Sequence, residues 1–141
     1  KSQHSLGICY ERGIGVKPNK FVAVEWYRKA ADQGDPIAQY NLCVCYSDGI
    51  GVDKDKSIAV DWLKKAAAQG HIKSQHSLGI CYERGIGISE NLTEAKEWFK
   101  KSADQGFEEA KKDLKQLELK IQQIAKAKAE EQLKRLEEDE L

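Results

Sequence analysis

The chain has 141 residues, with 23 basic and 23 acidic side chains and a formal net charge of +0. That balance argues against a generic nucleic-acid or anionic-membrane surface, which needs a basic surplus. A hydrophobic content of 40% supports a real core, and no apolar run is long enough to insert into a membrane as a helix. Nothing resembles a signal peptide and there is no methionine, so Lys1 is expected to begin a trimmed piece.

The stretch KSQHSLGICYERGIG at residues 1–15 recurs letter for letter at 73–87, an offset of 72. A weaker copy, AQYNLCVCYSDGIG, occupies 38–51, halfway between them. The period is therefore 36, in the range of solenoid repeats. The units read as residues 1–34, 35–70 and 71–106, followed by a distinct segment at 107–141.

Each unit predicts two helices. In the first, helix A covers 1–12 and helix B covers 20–33. Gly13 can take the left-handed conformation that ends helix A, and Asn19 is a good N-cap for helix B. In the second unit, Asp35-Pro36 opens helix A over 36–48, and Asp55 caps helix B over 56–69. The third repeats the plan over 72–84 and 92–105, with Asn91 as cap. Leu42 with Cys45 and Tyr46, and Leu78 with Cys81 and Tyr82, space apolar residues three to four apart, which makes one buried stripe. Gly7 and Gly79, with Ala23, Ala59 and Ala95, let the two helices approach. Trp26, Trp62 and Trp98 are expected to fill the space between those helices and the next repeat.

From Phe107 the pattern decays, and no Gly or Pro follows Gly106. Leu114, Leu117, Ile121, Ile124, Leu133 and Leu136 keep helical spacing, predicting one helix over 107–138, about 45–50 Å long. Its first turns should cap the open end of the array. Its seam Leu114-Leu117-Ile121-Ile124 breaks at Lys128 and Glu131, which weakens a long coiled coil.

Cys9, Cys45 and Cys81 share one repeat position, with Cys43 beside it. They read as small buried hydrophobes in a reducing compartment, and no metal site is expected. The Gly-Ile-Gly loops follow a helix and lack a following Lys-Ser/Thr, so they are not phosphate loops. The basic row Arg28-Lys29, Lys64-Lys65 and Lys100-Lys101 lies near helix C-termini, where cations are favoured, with Glu25, Asp61 and Glu97 four residues before its lysines. Asn91-Leu92-Thr93 is a formal glycosylation sequon, but its asparagine is already explained as a cap. The closing Asp139-Glu140-Leu141 matches a retention tail poorly. No nucleophile, base and orienter come together, so no enzyme activity and no cofactor are expected.

The pattern A-Q-x-x-L-G-x-x-Y-x-x-G-x-G-V, then D/N-x-x-x-A-x-x-W-x-x-x-A-A-x-x-G, resembles the Sel-1-like repeat, a relative of the tetratricopeptide repeat. Cys43 departs from it by replacing the glycine after Leu42, so that helix contact should be slightly wider. Ser2, Ser74 and Ser102 stand where the family prefers alanine. The resemblance implies an all-α solenoid of three helix–turn–helix repeats that holds a protein partner on its concave face. By analogy with the tetratricopeptide groove, the A helices would present Lys1, His4, Ile8, Glu11 and Arg12, then Ile37, Tyr40, Val44, Ser47 and Asp48, then Lys73, His76, Ile80, Glu83 and Arg84. An apolar ladder Ile8–Val44–Ile80 would run beside a ring ladder His4–Tyr40–His76. The expected role is a non-catalytic scaffold or adaptor for a peptide or partner helix. One alternative is self-association or docking through Leu117, Ile121 and Ile124 of the last helix; another is a spacer in a longer array.

Overall fold

The structure, a computed structural model, describes residues 2–141. Among these, seven α-helices and no strand form a solenoid: α1 Gln3–Arg12, α2 Lys20–Asp32, α3 Pro36–Asp48, α4 Lys56–Ala68, α5 Ile72–Arg84, α6 Leu92–Asp104 and α7 Glu108–Asp139. Each helix packs on its predecessor and its successor. Long-range order therefore comes from neighbour interfaces laid end to end.

The local chemistry repeats with the sequence. Gly13, Gly49 and Gly85 end the A helices in the left-handed region, with φ of 73°, 73° and 68°. The backbone amides of Asn19, Asp55 and Asn91 then donate to the carbonyls of Tyr10, Tyr46 and Tyr82, each at 2.8 Å. Their side chains accept from the first-turn amides of α2, α4 and α6. One residue thus closes the loop and starts the next helix, satisfying donors the helix leaves unpaired.

The core does not rest on tryptophan. Trp62 and Trp98 are half-buried and pack on the cluster of the preceding repeat, not toward the next one as expected. Lys29, Lys65 and Lys101 lie over the rings of Trp26, Trp62 and Trp98 at 4.6, 4.4 and 4.2 Å, a cation–π arrangement. The residue after each tryptophan fills the hairpin: Tyr27, Leu63 and Phe99 are at most 1% exposed. A Cβ on Gly79 would lie 2.6 Å from the Phe99 ring, and one on Gly7 would lie 2.5 Å from Tyr27 Cδ1. In the middle unit Cys43 takes the glycine position, and Leu63 takes the aromatic position in the same cluster. The expected widening at Cys43 is thus matched by a smaller partner across the hairpin.

A second recurring device escaped the sequence reading. Gln39 and Gln75, 4% and 5% exposed, donate from Nε2 to the carbonyls of Ala31 and Ala67. Their Oε1 atoms accept from Gln69 and Gln105 at 2.8 and 2.7 Å. This buried chain ties successive repeats while leaving no polar atom stranded. Ser102 likewise donates to the Ile72 carbonyl at 3.0 Å, which gives a serine a reason to stand where alanine is usual.

His71 occupies the N-cap position that Asp35 fills one repeat earlier, and its Nδ1 accepts from the Ser74 amide. Burial first, then nearby Lys73, lowers its pKa from the ordinary 6.5, with Asp35 opposing, and the Tyr40 ring centroid lies 5.2 Å away. The folded chain therefore binds this proton more weakly than the unfolded chain, and stability attributed to His71 falls as pH drops below the ordinary histidine value. Protonation also removes the acceptor that caps α5. The wild-type melting temperature is expected to fall more steeply between about pH 7 and about pH 5 than that of His71→Asn, which keeps a cap without titrating. Parallel pH profiles of the two proteins would show this account to be wrong.

Candidate binding groove

Tyr40, Val44, Ser47 and Asp48 from α3 meet Ser77, Ile80 and Cys81 from α5 around a cavity of about 330 Å³. Cys43, Lys56, Leu63 and Ile86 also line it, with Lys56 exposed. The cavity exists because α3 and α5 are successive A helices separated by α4, whose Leu63 fills the space behind them. The wall is apolar and thiol-rich, and the polar groups are Tyr40, two serines, Asp48 and Lys56. Such a mixture gives apolar contact in the middle with a few polar groups to orient a ligand.

The residues expected on the concave face divide three ways. Tyr40, Val44, Ser47, Asp48 and Ile80 converge on the cavity. Arg12, Ile37, Lys73 and Arg84 are exposed and Glu83 is half-buried, but they do not line that cavity. Ile8 packs onto the first core cluster. Lys1 lies outside the described residues.

The histidine ladder needs correction. His4 Nδ1 lies 2.5 Å from Asp35 Oδ2, tying α1 to the start of α3. His76 is 9% exposed, with its ring between Phe99 and Phe107 at 5.6 and 5.2 Å. Its Nε2 lies 2.6 Å from Asp113 Oδ2 on α7. His76 therefore anchors the last helix, because a buried imidazole needs a polar partner and Asp113 supplies one. Glu11 is also engaged: it accepts from the Tyr27 hydroxyl at 2.5 Å. Burial first, then that bond, holds the Tyr27 phenol well above its ordinary range.

Leu117 is corrected in the same way. It is 0% exposed and packs with Ala95 and Phe99, with Leu114 and Ile121 half-buried beside it. Only beyond Ile121 does the helix leave the array, with Ile124, Leu133 and Leu136 exposed by 37, 59 and 55%. Of the three residues expected to dock a partner there, Ile124 is exposed, Ile121 is partly covered and Leu117 is core.

Cys43 and Cys81 were not among the expected site residues, yet both face the groove. Their positions on the buried stripe suggested packing alone. Burial pushes Cys43 up to about 12, with the neighbouring Cys81 as the next cause, and raises Cys81 as well. Neutral thiols of this kind act as polarisable surface rather than nucleophiles. No group of three or more ligating side chains suited to a metal occurs among the described residues. No helix there is long and apolar enough to cross a membrane.

The sequence model of the Sel1 repeat matches residues 1–35, 36–71 and 72–107. A Sel1 repeat protein from Oxalobacter formigenes superposes with a TM-score of 0.78 at 39% identity, covering 79% of this chain and 46% of that one. A protective antigen of uropathogenic Escherichia coli with the same type of fold gives 0.74 at 42% identity, over 77% of this chain and 23% of the antigen. Helicobacter pylori cysteine-rich protein B gives 0.63 at 26% identity, over 65% and 69%. Among curated proteins, DAP3-binding cell death enhancer 1 of Rattus norvegicus is 49% identical over 39 residues, 28% of this chain and 8% of that protein. The chain thus spans less than half the length of the Oxalobacter and rat proteins.

Proposed function

Because the chain belongs to the Sel1 repeat family, whose members generally mediate protein–protein interaction without catalysis, we propose that it is a scaffold that holds a peptide or partner helix in the α3–α5 groove. The observation that carries this reading is the convergence of Tyr40, Val44 and Ile80 on one cavity, with the exposed Asp48 and Lys56 also lining it. Apolar anchors near the centre and charges at the rim are the layout from which interfaces draw affinity and register. The test uses peptides selected from a random library on the immobilised chain. Tyr40→Ala combined with Val44→Glu should weaken their binding at least about tenfold, the scale of one lost anchor and one buried charge. Circular dichroism should show the double variant still folded at the binding temperature, with a lower melting temperature because Tyr40 also packs on the second core cluster. Unchanged affinity in the folded double variant would reject the groove.

A second reading places the main contact on the free half of α7, supported by the exposure of Leu133 and Leu136. Its charge is uneven along the helix: residues 108–128 carry six lysines against Glu108, Glu109, Asp113 and Glu118, and residues 129–140 carry six acids against Lys134 and Arg135. That order suits antiparallel pairing of two copies, in which each basic half meets an acidic half. Sedimentation should then show a dimer that raised salt weakens and that deletion of residues 125–141 abolishes. A monomer at all accessible concentrations removes this reading.

A further inference from the structure

The middle hairpin departs from the first at three positions that meet in space. In the first repeat the Tyr27 ring lies against Gly7, its hydroxyl donates to Glu11 at 2.5 Å, and it shares a core cluster with Cys45 of the next repeat. In the third repeat the Phe99 ring lies against Gly79 in the same way. One period on from Gly7, Glu11, Tyr27 and Cys45 stand Cys43, Ser47, Leu63 and Cys81. All of these counterparts line the cavity between α3 and α5.

The smaller side chains close the hairpin but not the groove. Leu63 is 1% exposed and packs with Cys43, so the hairpin interior is filled. Leucine has neither the far edge of a tyrosine ring nor its hydroxyl. Serine is also shorter than the glutamate that receives that hydroxyl in the first repeat. The space outward of Leu63 is therefore left as the cavity of about 330 Å³. It lies inside the array, with a repeat on either side, so its openness comes from these side chains.

We propose that the groove takes a tyrosine side chain of its partner, seated between Cys43 and Cys81 in the place that the outer half of the Tyr27 ring fills one repeat earlier. This rests on the groove being the binding site and names what it selects. The two sulfur atoms give an aromatic ring polarisable contacts, and Tyr40 adds an aromatic wall. Asp48 lines the same cavity, and its carboxylate makes no ion pair among the described residues. It accepts the partner's phenol, the role that Glu11 has for Tyr27. A hydrogen bond to a charged acceptor favours tyrosine over phenylalanine.

The test uses peptides selected from a random library on the immobilised full chain. They should share a tyrosine. Replacing that tyrosine by phenylalanine should weaken binding about fivefold, one net hydrogen bond, and by leucine at least about tenfold. A chain carrying Cys43→Gly, Ser47→Glu and Leu63→Tyr rebuilds the first-repeat arrangement and fills the slot from within. It should stay helical and lose at least about tenfold in affinity. The peptide substitutions are read on the unaltered chain, so they decide the matter where the rebuilt hairpin does not fold. Peptides without a shared tyrosine, equal affinity for the phenylalanine or leucine form, or full binding by the folded rebuilt chain overturn the proposal. If such peptides still lose binding to Tyr40→Ala with Val44→Glu, the groove stands and only its selectivity falls. If they bind that double variant unchanged, the groove itself is rejected.

Discussion

Leu117→Ala is expected to destabilise the chain by about 2–5 kcal/mol, the usual cost of truncating a fully buried leucine. Leu117 is 0% exposed and shares its cluster with Ala95 and Phe99, so little nearby can collapse into the space. His76–Asp113 and the Phe107 ring hold the same end of α7, so losing Leu117 weakens one joint, not the whole array. In a solenoid built from neighbour interfaces, the damage should stay local. Hydrogen exchange should quicken in α6 and the first half of α7 while α1–α3 keep their protection. Ile124→Ala, at a position 37% exposed, should cost well under about 1 kcal/mol. A denaturation midpoint that moves equally for both substitutions would show that Leu117 is not the cap.

Gly79→Ala should cost about 1–3 kcal/mol, the range for forcing an extra carbon into a packed core. The added methyl would stand 2.6 Å from the Phe99 ring, and that ring is 0% exposed with the tilted His76 ring 5.6 Å away. Phe99→Leu alone should also destabilise, by leaving space against glycine. The double variant recreates the small-side-chain and leucine pairing of Cys43 and Leu63. It should recover more than about 1 kcal/mol relative to the sum of the two single changes. Additive losses in this double-mutant cycle would refute the claim that the two positions are sized to each other.

The groove was legible in part, and the reason lies in what a helical register can say. Analogy with the tetratricopeptide groove placed Tyr40, Val44 and Ile80 on one face of their helices, and all three line the cavity between α3 and α5. Register is silent about what a face meets. His4 and His76 share that side, yet Asp35 and Asp113 engage them, and those carboxylates lie 31 and 37 residues away in sequence. Cys43 and Cys81 were assigned to packing because their stripe is apolar, although the spread of α3 from α5 opens both to the cavity. The glutamine chain could have been found: Gln39 and Gln75, like Gln69 and Gln105, recur at the period of 36.

By itself the sequence determined the repeat period, the helix pairs, their caps and the long closing helix, because these are set by local backbone preference and by apolar spacing within one unit. Glycine at 13, 49 and 85 and Asn or Asp at 19, 55 and 91 act on their own neighbours, so they can be read without a partner. Only the tertiary structure decided which identical residues do different work. Gly15 and Gly87 belong to one sequence, but Gly87 meets Lys56 and Gly15 meets nothing. His4 and His76 share a register, but His76 is sealed beneath α7. The physical reason is that burial depends on which helix packs on a face, and that neighbour lies in another repeat, beyond the reach of local propensity.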